Sequence, residues 1–195
     1  MSVPAYNTYM KDQRDYQRTR LYRSEWPHLE NIETLALDDC WHFVTETVTS
    51  PYFVKHFPKT FRYLGADKWQ TSGLTEPQRY APNNRLKYLH YGDRRKGLKL
   101  RPGYRRRHAE SACATITLPL WSRNKLTILH ELAHICCWND KENGDKLSAH
   151  GKEFAGIYLF LVYQTLSVTL GEQLHDSMQT HKVKVAPHRD TIGTP

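Results

Sequence analysis

Cysteine is scarce in this chain: four occur in 195 residues, Cys40, Cys113, Cys136 and Cys137, and none belongs to a CxxC pair. That excludes a zinc ribbon and leaves no disulfide framework. Neighbouring cysteines cannot bridge without strain, so all four read as small buried apolar side chains in a reducing compartment. Long apolar runs are missing too. The longest, Ile157 to Tyr163, is far too short to cross a bilayer, and the opening MSVPAYNTYMKDQRDYQRTR lacks the apolar stretch of a secretory signal. The expectation is a cytoplasmic protein with no membrane partner. Neither an internal repeat nor a low-complexity segment occurs. With 39% hydrophobic and 25% charged residues, the composition suits one globular domain with an extension or two. A formal charge of +8 permits an anionic partner without demanding one.

What is present is a stretch rich in chemistry. Leu126 to Trp138, LTILHELAHICCW, contains the HExxH pattern His130-Glu131-Leu132-Ala133-His134. On a helix, residues four apart share a face one turn from each other, so His130 and His134 can offer two imidazole nitrogens to one metal ion. Glu131 stands beside that face, where its carboxylate can take a proton from a water in an open coordination position, as the general base of zinc hydrolases does. The competing reading is two structural core histidines. Apolar residues surround the motif, and no Gly or Pro interrupts from Ser122 to Trp138, so the helix is expected to be buried. Polar side chains buried there need hydrogen bonds or a metal, which favours the site.

Catalytic zinc ordinarily takes three protein ligands and keeps a fourth position for water. His150 is the preferred third ligand: it opens the next helix after a polar connection long enough to reverse the chain. Cys113, upstream, is a lesser candidate. Glu153 would give a two-histidine, one-carboxylate site, but it lies one turn further on and fits better as a neighbour of the ligands than as one of them. Asp140 occupies the third-ligand place of the metzincin pattern HExxHxxGxxH, yet Cys137 stands where that pattern needs its hinge glycine.

Along the chain, Lys11 to Trp26 reads as a sparse helix ending before Pro27 and contacting the rest through Tyr16, Leu21, Tyr22 and Trp26. Asn31 to Thr49 reads as an amphipathic helix capped by Asn31, with His42 a surface residue. From Pro51 to Asn84 the many prolines and glycines suggest loops around short extended pieces. Strands are expected at Arg85 to Tyr91, from Leu98 through Arg107, and at Ala112 to Leu118, closed by Pro119. A helix from His150 to about Leu170 follows the motif helix, and Gly171 is a place for it to kink or end.

Arg85 to His108 carries Arg94, Arg95, Lys96, Lys99, Arg101, Arg105, Arg106 and Arg107 among Tyr88, Tyr91 and Tyr104. Such a stretch can neutralise phosphates while tyrosines stack on bases, or it can be a solvated charged hairpin. DNA is therefore a candidate partner through this segment, chiefly Arg94, Arg95, Lys96, Arg105, Arg106 and Arg107. Tyr104 or His108 could instead support an oxyanion if the segment lines a cleft.

His150-Gly151-Lys152-Glu153-Phe154 resembles the HGxxF element that follows HExxH in SprT-like and Spartan-type zincins, and ATITLPLWSRNKLTILHELAH is similar to their strand, turn and motif helix. With RDYQRTRLYRSEW added, the chain more closely resembles a group of uncharacterised metallohydrolases of actinobacteria and their phages. The resemblance covers about Ala112 to Val162. It implies zinc bound by His130, His134 and His150, with Glu131 catalytic. The cysteine-rich ribbon that often follows the SprT core is missing here. The expected fold is α+β and zincin-like, a small antiparallel or mixed sheet packed on a buried HExxH helix and a following long helix. Expected boundaries are a polar, helical extension over 1–27, the metallohydrolase domain over 28–175 and a loose tail over 176–195. The expected activity is zinc-dependent hydrolysis of peptide bonds in a protein or peptide substrate. A zinc hydrolase of another bond and a nucleic-acid-binding protein with a structural metal are the alternatives.

Overall fold

The structure is a computed structural model that describes residues 16–30, 32–66, 79–80, 90–92, 97–103, 109–112, 114–139 and 148–187. The architecture is mixed α+β. The helices are α1 (Tyr16–Leu29), α2 (Leu37–Thr49), α3 (Pro51–His56), α4 (Pro58–Tyr63), α5 (Lys125–Asn139), α6 (Lys152–Thr165) and α7 (Val168–Thr180). The strands are β1 (Arg79–Tyr80), β2 (His90–Gly92), β3 (Lys99–Pro102), β4 (Glu110–Ala112) and β5 (Thr115–Leu118), joined in the order β1-β2-β3-β5-β4. All neighbours are antiparallel except β3 and β5, which run parallel with Leu100 opposite Ile116. The chain leaves β3, forms β4 at the edge, and returns through β5 into the space between them.

Helix α5 is the hub. It packs against β4 and β5 on one side and against α2, α4 and α6 on the others. Its Leu126, Ile128, Leu129, Leu132, Ala133 and Cys136 are fully buried, as expected for a helix apolar nearly all round. They meet Leu98, Leu100, Ile116 and Leu118 from the sheet and Phe154, Tyr158 and Leu161 from α6 in one core. Each such side chain contributes roughly 1.5–3 kcal/mol by leaving water. Asn124 starts α5, its Oδ1 accepting the Thr127 amide at 2.8 Å.

Several local expectations give way to the structure. The prolines of 51–63 start helices instead of loops: Pro51 and Pro58 occupy first-turn positions, where a missing N–H costs nothing. Helix α2 begins only at Leu37, and Ile32 to Ala36 is non-helical. Ala112 to Leu118 is not one strand but the end of β4, a tight turn and β5, with Ala112 paired to Thr115. Pro27 does not end α1, which continues to Leu29; so near a helix end, proline forfeits a single ladder bond. The helix expected from His150 to Leu170 breaks at Ser167, whose extended backbone and hydroxyl cap α7 by accepting the Leu170 amide at 3.1 Å.

Both ends of the expected domain belong to the packed body. In α1, Leu21, Ser24 and Glu25 are buried, and the helix lies against α7. Ser177 Oγ donates to the Ser24 carbonyl at 2.9 Å, and Gln17 Nε2 donates to the Lys184 carbonyl at 3.0 Å. The tail expected to be loose from 176 onwards is instead ordered in helix α7 and packed as far as Ala186. Met178 and Val183 are buried, and the Ala186 amide donates to the Lys152 carbonyl at 2.9 Å. Residues 188–195 lie outside the described residues. No helix among the described residues is long and apolar enough to cross a membrane.

Candidate metal centre

His130 and His134 project from adjacent turns of α5, as HExxH spacing dictates. His150 arrives from the turn before α6. The Gly151 amide donates to the Ser148 carbonyl at 3.0 Å, folding 148–151 back against α5. A Cβ at Gly151 would sit 3.1 Å from Glu153 Oε2 and 3.2 Å from the Ser148 Cβ, so the turn is closely packed there. The three histidines each offer a ring nitrogen, and these atoms all lie within 4.8 Å of one another. Ring centroids are 5.0 Å apart for His130 and His134, 5.5 Å for His130 and His150, and 4.7 Å for His134 and His150. His130 and His150 are buried and His134 is half-buried.

Aromatic side chains fix these rings. Phe154, fully buried one turn into α6, lies 4.3 Å from the His134 ring and 5.0 Å from that of His130. This is the structural work of the phenylalanine in HGKEF. Tyr22 of α1 stacks on His130 with centroids 5.7 Å apart and meets His150 edge-on at 5.6 Å. Tyr158 closes the inner side, 5.5 Å from His130.

The electrostatics differ between the two motif histidines. Burial and the neighbouring charges of His130 and His150 push the His134 imidazole down to about 2, opposed by a hydrogen bond to the Ala149 backbone, so its ring is neutral and fit to ligate. Burial pulls His130 down as well, but the Glu25 carboxylate outweighs it and the net shift is upward. Glu131 is buried beside the cluster. Burial raises its carboxyl, with the charge of His130 and the Ser111 hydroxyl working against that rise. Three nitrogen donors on one volume, with a carboxylate adjacent, are a donor set that could hold a metal ion.

Among the described residues the cluster of metal-ligating groups contains only the three histidines. Glu153 is not brought into it; its carboxylate lies 3.8 Å from Lys152 Nζ at the surface. Cys136 and Cys137 are buried thiols outside the cluster, as Cys40 is. Asp140, Cys113, Tyr104, His108 and the basic residues Arg94, Arg95, Lys96, Arg105, Arg106 and Arg107 lie outside the described residues. Arg101 is described and reaches Glu110 at 3.3 Å.

One residue of the site has no counterpart among the sequence candidates. Glu25 Oε1 lies 2.8 Å from His130 Nδ1, with the two side chains only 7% and 5% exposed. Its signal was faint, since Leu21, Ser24 and Glu25 share a face of α1 that looks no more apolar than its opposite. Comparisons with protein-family models, with curated proteins and with solved structures find no match to this chain.

Proposed function

We propose that the protein is a zinc-dependent metallopeptidase with His130, His134 and His150 as the metal ligands and Glu131 as the general base. The observation that carries this reading is the meeting of three imidazoles from two separate elements beside a buried glutamate. A zinc ion held by the three rings would supply Lewis acidity, activating water and polarising the scissile carbonyl. Glu131 takes the proton of the attacking water at its carboxylate and then delivers it to the leaving amine nitrogen. Burial raises the proton affinity of that carboxylate, which suits a group that must both accept and return a proton near neutrality.

Peptide is favoured as the substrate by the position of β4. It is an edge strand that pairs only with β5 among the described residues, and its Ser111 hydroxyl approaches Glu131. The outer edge of such a strand presents backbone N–H and C=O groups to which an extended peptide can add. A chain added there would run alongside β4, whose Ser111 neighbours Glu131. HGKEF, with His150 delivered to the cluster and Phe154 packed under it, supports the SprT-like reading, which stands as part of this proposal.

The test is Glu131→Gln assayed against unfolded protein and peptide substrates, with zinc content measured in parallel. The reading expects zinc retained and hydrolysis lost by at least about 100-fold, the scale of a general base. Wild-type activity in that variant would refute the mechanism.

A further inference from the structure

HExxH specifies two ligands but not which nitrogen of each ring faces the metal, and that choice depends on what the other nitrogen does. At His130 the other nitrogen is Nδ1, held at 2.8 Å by Glu25 Oε1. We propose that Glu25 is a positioning residue for His130: its carboxylate accepts the Nδ1–H hydrogen bond, fixes that tautomer, and turns Nε2 towards His134 and His150 as the ligating atom. The proposal rests on the metal-site reading above and adds α1 to the machinery.

The contact is built, not incidental. A carboxylate has only lone pairs to offer, so a neutral His130 must place its proton on Nδ1 to make this bond. The pair is almost wholly withdrawn from water, where an unmatched acceptor or donor would be costly. Its geometry is set from far along the chain. Leu21 anchors α1 in the core, Ser177 holds the Ser24 carbonyl, and Gln17 and Arg20 donate to the carbonyls of Lys184 and Lys182. The Tyr22 ring stacks on His130 with only 20° between planes, so the imidazole cannot tilt without losing that contact, and a half-turn flip, which keeps the plane, would break the hydrogen bond to Glu25. Carboxylate partners of this kind raise the basicity of a ligating imidazole and orient it. The negative charge also lies one ring away from the point where a dication would sit, so it favours the charged over the empty site.

The experiment uses the full chain and zinc alone. Zinc affinity is measured by competition with a chromophoric chelator for wild type, Glu25→Gln and Glu25→Ala, and the protonation of His130 is read from 15N imidazole resonances before and after zinc. The proposal expects Nδ1–H in the apo wild type and zinc on Nε2. It expects an affinity loss of about 10–100-fold in Glu25→Ala and a smaller loss in Glu25→Gln, which keeps an acceptor but not the charge. It also expects mixed tautomers at His130 in Glu25→Ala. Zinc on Nδ1 of His130 in the wild type overturns the proposal, even if the alanine variant does not fold. So does a folded Glu25→Ala, verified by circular dichroism, that binds zinc within twofold of wild type. In the second case the metal site itself would stand. A wild type that bound no zinc would overturn both readings, whereas zinc binding with the expected signature but no hydrolysis would remove only the peptidase reading.

Discussion

The His134 and His150 rings meet edge to face with centroids 4.7 Å apart, one from the motif helix α5 and the other from the turn before α6. That meeting brings a third imidazole to the two of the motif helix, as the proposed metal site requires. His150→Ala should therefore weaken zinc binding by at least about 100-fold, more than the ~10–100-fold expected for losing an outer partner of a ligand. Chelator competition on wild type and variant checks it.

Helix α1 is part of the folded body, and its removal from the core should be felt as such. Leu21 is fully buried. Leu21→Ala should cost about 2–5 kcal/mol, the range for a truncated buried leucine, read as a lower urea midpoint at unchanged slope. A change within about 0.5 kcal/mol would mean that α1 is a loosely attached extension.

Alkaline pH should destabilise the protein through buried groups outside the metal centre. Burial raises the Cys40 thiol from 9.0 to about 11, so the folded state holds a proton that the unfolded chain releases. The stability this gives is fully present below about pH 9 and is lost as pH rises towards 11, falling by up to about 1.4 kcal/mol per pH unit for one group. Tyr52, raised by burial, adds in the same direction. Urea titrations between pH 8 and about pH 11 measure it, and native Cys40 should resist iodoacetamide at pH 8 until the chain is unfolded.

Gly156 allows the C-terminal segment to lie against α6. A Cβ at this position would run into the Ala186 carbonyl oxygen. Gly156→Ala should displace residues 183–187, costing about 1–3 kcal/mol as overpacking does, and should expose the chain after Thr180 to limited proteolysis.

The motif helix, its burial and the third histidine were legible because each rests on a local rule: apolar residues all round, four-residue spacing, and a polar connection long enough to bring a histidine at the next helix start back to the motif. The sequence hid whatever depended on distant packing. Pro51 and Pro58 look like loop punctuation until first-turn positions claim them, and the break at Ser167 falls inside an unbroken apolar pattern. Glu25 was hidden for the strongest reason. A glutamate among arginines on a polar helix reads as a solvated charge, and only the packing of α1 against α7 turns it inward onto His130.

If His130, His134 and His150 form one zinc site with a position left for solvent, zinc K-edge absorption on the protein loaded with one equivalent of zinc should show it. The expected spectrum has three imidazole nitrogens at about 2.0–2.1 Å and one further oxygen donor. A sulfur donor at about 2.3 Å, a fourth imidazole, or zinc that does not stay with the protein would contradict it.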